Sequence, residues 1–152
     1  MESMATVEQS GISRDYEIVN IVVVEDNPDD AFMTMRALKR LDPSPNVKLV
    51  RDGSEALLHL VGEDACGPEV IFLDLKLPKV HGLEVLRAVR ANPANKDTPV
   101  VVLTSSDDPK DIATAKELGA NEYVRKPIDW ENYSHLVCEA AAKYLKSGAC
   151  KV

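Results

Sequence analysis

The chain has 152 residues, 45% of them hydrophobic, which suits one compact globular domain and argues against disorder over most of its length. A formal net charge of −7 repels a phosphate backbone, so nucleic acid is not expected as a partner. No apolar run reaches the roughly 18 residues of a membrane span, and the polar stretch Met1–Asp15 lacks the cationic start and apolar middle of a signal peptide. A cytoplasmic protein without membrane contact is expected. Cys66, Cys138 and Cys150 show no CxxC or paired spacing, as fits reduced thiols, with Cys150 on a frayed tail.

In chain order, residues 1–16 read as a flexible leader, 17–147 as the domain and 148–152 as a flexible tail. Five apolar runs suggest strands: Ile18–Val24, Val47–Val50, Val70–Leu73, Val100–Leu103 and Tyr123–Val124. Five helical segments alternate with them. The first opens at Asn27-Pro28-Asp29-Asp30, a cap followed by proline and first-turn acids, and places Phe32, Met35, Leu38 and Leu41 three apart. The second runs near Ser54–Val61, with Leu57, Leu60 and Val61 on one face. The third follows Gly82, aligns Val85, Leu86 and Val89, and ends at Asn92-Pro93. The fourth starts at Asp108-Pro109 and stops at Gly119. The fifth follows Asp129 and carries Tyr133, Leu136, Val137, Ala140, Ala141 and Tyr144 in one stripe.

Strand alternating with helix implies an α/β fold, a five-stranded parallel sheet with helices on both faces. The first, third and fourth strands are unbroken apolar, as strands buried on both faces should be. The second carries Lys48, and the fifth runs into Arg125-Lys126-Pro127, chemistry that belongs at sheet edges. The doubly wound, flavodoxin-like order 2-1-3-4-5 satisfies both constraints.

In such a sheet, ligands sit beyond the carboxyl ends of the strands, where strand order reverses. Strand one ends in Glu25-Asp26, strand three in Asp74 and strand four in Thr104, while strand five leads to Lys126. Three clustered carboxylates must raise at least one pKa or recruit a cation. Oxygen ligands without neighbouring His or Cys favour a hard ion such as Mg2+. A carboxylate beside Mg2+, with a lysine and a hydroxyl in reach, is a suitable acceptor for a phosphoryl group. Asp29 and Asp30 read instead as favourable charges at a helix start. His59 and His135 read as surface or half-buried residues, and Trp130 as a staple holding the last helix to the body.

The stretches Val24-Glu25-Asp26-Asn27, Leu73-Asp74-Leu75-Lys76-Leu77-Pro78, Val102-Leu103-Thr104-Ser105 and Tyr123-Val124-Arg125-Lys126-Pro127 carry a resemblance. Thr104 lies 30 residues after Asp74, and Tyr123 and Lys126 lie 19 and 22 after Thr104. From Val19 to Leu145 the chain resembles the CheY-like receiver domain of two-component response regulators. The resemblance implies that Asp74 is the phosphoacceptor and that Glu25, Asp26, Asp74 and the Lys76 backbone carbonyl hold Mg2+. It implies that Thr104 and Lys126 contact the phosphoryl group, that Tyr123 swings inward as Thr104 shifts, and that the Lys126–Pro127 bond is cis. Glu25-Asp26-Asn27-Pro28-Asp29-Asp30 is further similar to single-domain regulators paired with bacterial phytochromes, which implies a sensor histidine kinase partner, a phytochrome among the candidates, and a homodimer. His81 stands where the family usually has aspartate, and Lys76 two residues past the acceptor, so the lifetime of the phosphorylated state is not legible.

Two other chemistries use parts of this pattern. A phosphatase of the haloacid dehalogenase type needs a second acid two residues after its nucleophile, where this chain has Lys76. A flavodoxin-like cofactor binder needs a phosphate-cradling loop after strand one, where this chain has Glu25-Asp26. A receiver fold kept purely as a binding platform would not need the full set of site residues.

Overall fold

A computed structural model describes residues 18–62, 67–146 and, for the backbone, 149–150. The expected leader and Cys66 lie outside the described residues. The elements are β1 (Ile21–Val24), α1 (Pro28–Leu38), β2 (Leu41–Asp42), β3 (Val47–Val50), α2 (Gly53–Val61), β4 (Val70–Leu73), α3 (Gly82–Ala91), β5 (Val100–Thr104), α4 (Pro109–Glu117), β6 (Glu122–Arg125), α5 (Trp130–Tyr144) and β7 (Ala149–Cys150).

The main sheet is parallel in the order β3-β1-β4-β5-β6. With the two-residue β2 set aside, this is the expected order of second, first, third, fourth and fifth strands. β1, β4 and β5 are buried at every position, whereas β3 and β6 are only part-buried. Apolar content thus sorted the strands into centre and edge, because only a strand covered on both faces can be apolar throughout.

One core cluster packs β-strand residues Ile21, Phe72 and Val101 with α1 and α5, and a second packs Val22, Ile71 and Val102 with α2 and α3. Alternate residues of each central strand therefore serve opposite faces. The helix starts follow the sequence: Asn27, Asp52, His81, Asp108 and Asp129 are N-caps whose side chains accept from backbone N–H groups of the first turn. Gly119, at φ +91°, ends the turn after α4 in the left-handed region where glycine carries no Cβ penalty.

Five expectations need correction. The buried face of α1 is Ala31, Thr34, Ala37 and Leu38, and Phe32 is 65% exposed. The three-apart spacing followed the large apolar side chains, but small residues form the face that packs closely on α5. Leu41 does not continue the helix; it begins β2. The first strand starts at Ile21 rather than Ile18, which is exposed. Residues 149–150 of the expected flexible tail form β7, antiparallel to β2, with Leu41 opposite Cys150 and Asp42 opposite Ala149. Their backbone groups find ladder partners there. Cys138 is buried and disulfide-bonded rather than a reduced thiol.

Candidate functional site

The C-terminal ends of β1, β4, β5 and β6 lie side by side, so the residues that close them share one edge of the sheet. Val24 pairs with Leu73, and Leu73 with Val102, which sets the next residues of β1 and β4 next to each other. Glu25 is 3% exposed, Asp74 6% and Thr104 0%, while Asp26 is exposed. Groups this polar stay buried only when paired.

The pairing is complete around Asp74. The Thr104 hydroxyl donates to Asp74 Oδ1 at 2.8 Å, and the Lys76 N–H donates to the same oxygen at 3.2 Å. Lys126 Nζ donates to Asp74 Oδ2 at 3.0 Å and to Glu25 Oε1 at 2.6 Å. The other Glu25 oxygen accepts from the Asn27 N–H at 3.2 Å. The ammonium reaches the site because Lys126 follows β6 and its own N–H still bonds the Thr104 carbonyl at 2.8 Å.

This cluster shows the electrostatic behaviour that crowded carboxylates require. Burial, then the charge of Asp74, push the Glu25 carboxyl above its ordinary range. Burial also works against the Asp74 carboxylate, but Lys126, then hydrogen bonds from Glu25 and Thr104, outweigh it and hold Asp74 below its ordinary value. Burial opposes the Lys126 charge too; hydrogen bonds to Asp30 and Glu25, with the charge of Asp74, overcome it and hold the ammonium above its ordinary value. Lysine supplies the positive charge that three nearby acids demand.

Carboxylate oxygens of Glu25, Asp26 and Asp74 lie within 4.8 Å of one another, the set of potential metal ligands found among the described residues. Its donors are all oxygen, which suits a hard divalent ion and not a soft one. The Asp74–Lys76 loop turns tightly against α3. A Cβ on Gly82 would press on the Asp74 carbonyl oxygen and lie 2.5 Å from Leu75 Cα, so only glycine admits this approach.

A second thread leaves the site through Thr104. Its hydroxyl accepts from the Ser106 N–H at 3.3 Å, and the Ser106 carbonyl accepts from the Tyr123 hydroxyl at 2.8 Å. Tyr123 is half-buried on β6, and burial pushes its phenol above the ordinary value. The Lys126–Pro127 bond is trans; the cis bond among the described residues is Asp42–Pro43. The trans form is the lower-energy form of an X–Pro amide, and Lys126 reaches all its partners from it.

Sequence reasoning missed two participants. Asp30 places Oδ2 2.8 Å from Lys126 Nζ, although its place in a helix first turn already explained an acid there. Ser106, buried at 5% exposure, was legible only as a loop serine. His81 caps α3, its Nδ1 accepting from the Leu83 N–H at 3.1 Å. His135 pairs with Glu139 at 3.0 Å on the α5 surface. Trp130 lies under the Arg36 guanidinium, 5.6 Å from its ring centre, and so ties α5 to α1 as expected.

A sequence profile of the response regulator receiver domain matches residues 21–137. The chain belongs to this family. Receiver domains are signalling modules of two-component systems, partnered in general with a sensor kinase, and phosphorylation on an aspartate is implied by membership. The chain is 37% identical over 128 residues to the probable methanogenesis regulatory protein FilR2 of Methanothrix harundinacea, covering 82% of this chain and 83% of FilR2. It is 37% identical over 110 residues to response regulator Rcp1 of Synechocystis sp., covering 70% of this chain and 75% of Rcp1. The solved Mn(2+)-bound form of Rcp1 superposes with a TM-score of 0.77, at 31% identity, over 88% of this chain and 99% of that one. The phosphorylated cyanobacterial phytochrome response regulator RcpA gives 0.78, at 33% identity, over 86% of this receiver chain and 100% of that one. Receiver domains bind divalent metal ions, and the acidic cluster of this receiver has the donors for one. No helix among the described residues is long and apolar enough to cross a membrane.

Proposed function

We propose that this receiver accepts a phosphoryl group on Asp74, with Mg2+ held by Glu25, Asp26, Asp74 and the Lys76 backbone carbonyl. One observation carries the reading: Thr104 and Lys126 donate to opposite oxygens of a single buried carboxylate at the carboxyl edge of the sheet. An aspartate so held is aimed, and the donors around it match the oxygens of an incoming phosphoryl group.

The donor is a phosphohistidine of a sensor kinase. An Asp74 carboxylate oxygen attacks phosphorus, the O–P bond forms as the P–N bond breaks, and the leaving imidazole takes up a proton from water. A divalent ion held by Glu25, Asp26 and Asp74 would supply positive charge to the phosphoryl oxygens. Lys126 supplies the same from the protein side, and the Thr104 hydroxyl turns from Asp74 Oδ1 to a phosphoryl oxygen. That turn pulls on Ser106 and frees Tyr123 to move inward, which alters the face formed by α4, β6 and α5. The chain catalyses only its own phosphorylation and dephosphorylation and is not a metabolic enzyme.

The likeness to the phytochrome response regulator RcpA supports a light-sensing bacterial phytochrome as the kinase; a second copy of the chain as a binding partner and a cytoplasmic setting are part of the same proposal. The test is mass spectrometry after incubation with acetyl phosphate and Mg2+. A base-labile gain of one phosphoryl group is expected, and it is absent from Asp74→Asn. Full labelling of Asp74→Asn contradicts the assignment.

A further inference from the structure

The Lys126 ammonium faces three carboxyl groups. Its side chain is 7% exposed, and Nζ donates at 2.6 Å to Glu25, 2.8 Å to Asp30 and 3.0 Å to Asp74. Glu25 and Asp74 belong to the oxygen cluster that a divalent ion would draw on, and Asp30 does not. Carboxylate oxygens turned toward a cation pull away from the ammonium, and a buried ammonium stripped of partners is strongly unfavourable.

Asp30 is anchored independently of that cluster. Its N–H donates to Asn27 Oδ1 at 3.0 Å and its carbonyl accepts the Thr34 hydroxyl at 2.8 Å, both within the first turns of α1. The Thr34 hydroxyl also meets the Tyr133 hydroxyl of α5, so the support is packed on both sides. The Asp30 side chain is 26% exposed, but the oxygen that matters faces the buried ammonium.

We propose that Asp30 is a positioning residue that keeps Lys126 paired, and held over Asp74, while Glu25 and Asp74 turn toward the cation. It acts through Lys126 and not as a metal ligand. The inference rests on the phosphoacceptor reading, since that reading is what requires the cation. Without Asp30, the ammonium must stay on Glu25 and Asp74, where it competes with the ion for the same oxygens.

Isothermal titration of the full chain with Mg2+ alone tests this. Asp30→Asn is expected to raise the Mg2+ dissociation constant about tenfold, while Asp29→Asn, the same charge change one residue away without a Lys126 contact, shifts it less than about twofold. In a Lys126→Met background, Asp30→Asn is expected to shift it less than about twofold as well. Equal effects of Asp29→Asn and Asp30→Asn, or the same change with and without Lys126, overturn the proposal. Circular dichroism checks that Lys126→Met folds, and where it does not, the Asp29 comparison alone decides. Wild-type chain that binds no Mg2+ overturns the phosphoacceptor reading and this inference together; wild-type binding with an unaffected Asp30→Asn overturns this inference alone.

Discussion

A buried carboxylate is a cost that a protein must offset, and at Asp74 the offset has a direction. One oxygen is tied by Thr104 and the Lys76 N–H, the other by Lys126. The ammonium is therefore both a structural and a chemical group. Lys126→Met leaves Glu25, Asp30 and Asp74 facing one another, and the expected loss is about 3 kcal/mol in metal-free protein, from breaking a buried ion pair. Mg2+ should then raise the melting temperature of Lys126→Met more than that of the wild type, because the ion becomes the cluster's main positive charge. Thermal melts with and without Mg2+ read both effects. The principal residues were legible, since each closes a strand recognisable from its apolar run. Asp30 was not, because an acid in a helix first turn already has a sufficient local reason to be there, and only the tertiary fold brings it within 2.8 Å of the Lys126 ammonium.

At the scale of elements, a loop pressed between glycine and cap fixes where Asp74 points. Gly82→Ala drives a Cβ into the Asp74 carbonyl and Leu75 Cα. The expected cost is about 1–3 kcal/mol of stability from overpacking, with a fall in phosphorylation rate that saturating Mg2+ does not restore. Denaturant unfolding and acetyl phosphate kinetics measure the two. The α1–α5 seam is a second such joint. Tyr133 is 1% exposed, and its hydroxyl meets Thr34, whose own hydroxyl still reaches the Asp30 carbonyl. Tyr133→Phe therefore leaves Thr34 satisfied, and about 1 kcal/mol is the expected loss in denaturant unfolding. The seam explains why α1 was misread. Large apolar residues such as Phe32 suggested its inner face, but close approach to α5 selects Ala31, Thr34 and Ala37, with the Thr34 hydroxyl paired to the Asp30 carbonyl and to Tyr133. By contrast α3, whose inner face is Val85, Leu86 and Val89, followed its periodicity directly.

Over the whole molecule, the sheet order was legible because the sequence separates strands buried on two faces from strands with charged flanks. The pairing of β2 with β7 was not, since two-residue strands leave no periodicity to read. The same architecture gives the protein a pH dependence. The Glu25 carboxyl is raised from 4.5 to about 8 in the fold by burial, then by Asp74, so the folded state binds a proton that the unfolded chain releases. Its contribution is complete below about pH 4.5 and is lost as pH rises toward 8. In EDTA the melting temperature is expected to fall by a few degrees between pH 5.5 and 8.5, and Glu25→Gln should flatten that decline. A melting temperature that rises over this interval in the wild type contradicts the buried, proton-holding Glu25.

The central claim is that one side chain, Asp74, carries the phosphoryl group. Borohydride reduction converts an aspartyl phosphate to homoserine, so peptide mapping after acetyl phosphate, Mg2+ and borohydride locates the acceptor directly. Homoserine at position 74 is the expected result. Homoserine at position 26 or 30 instead, with position 74 unmodified, contradicts it.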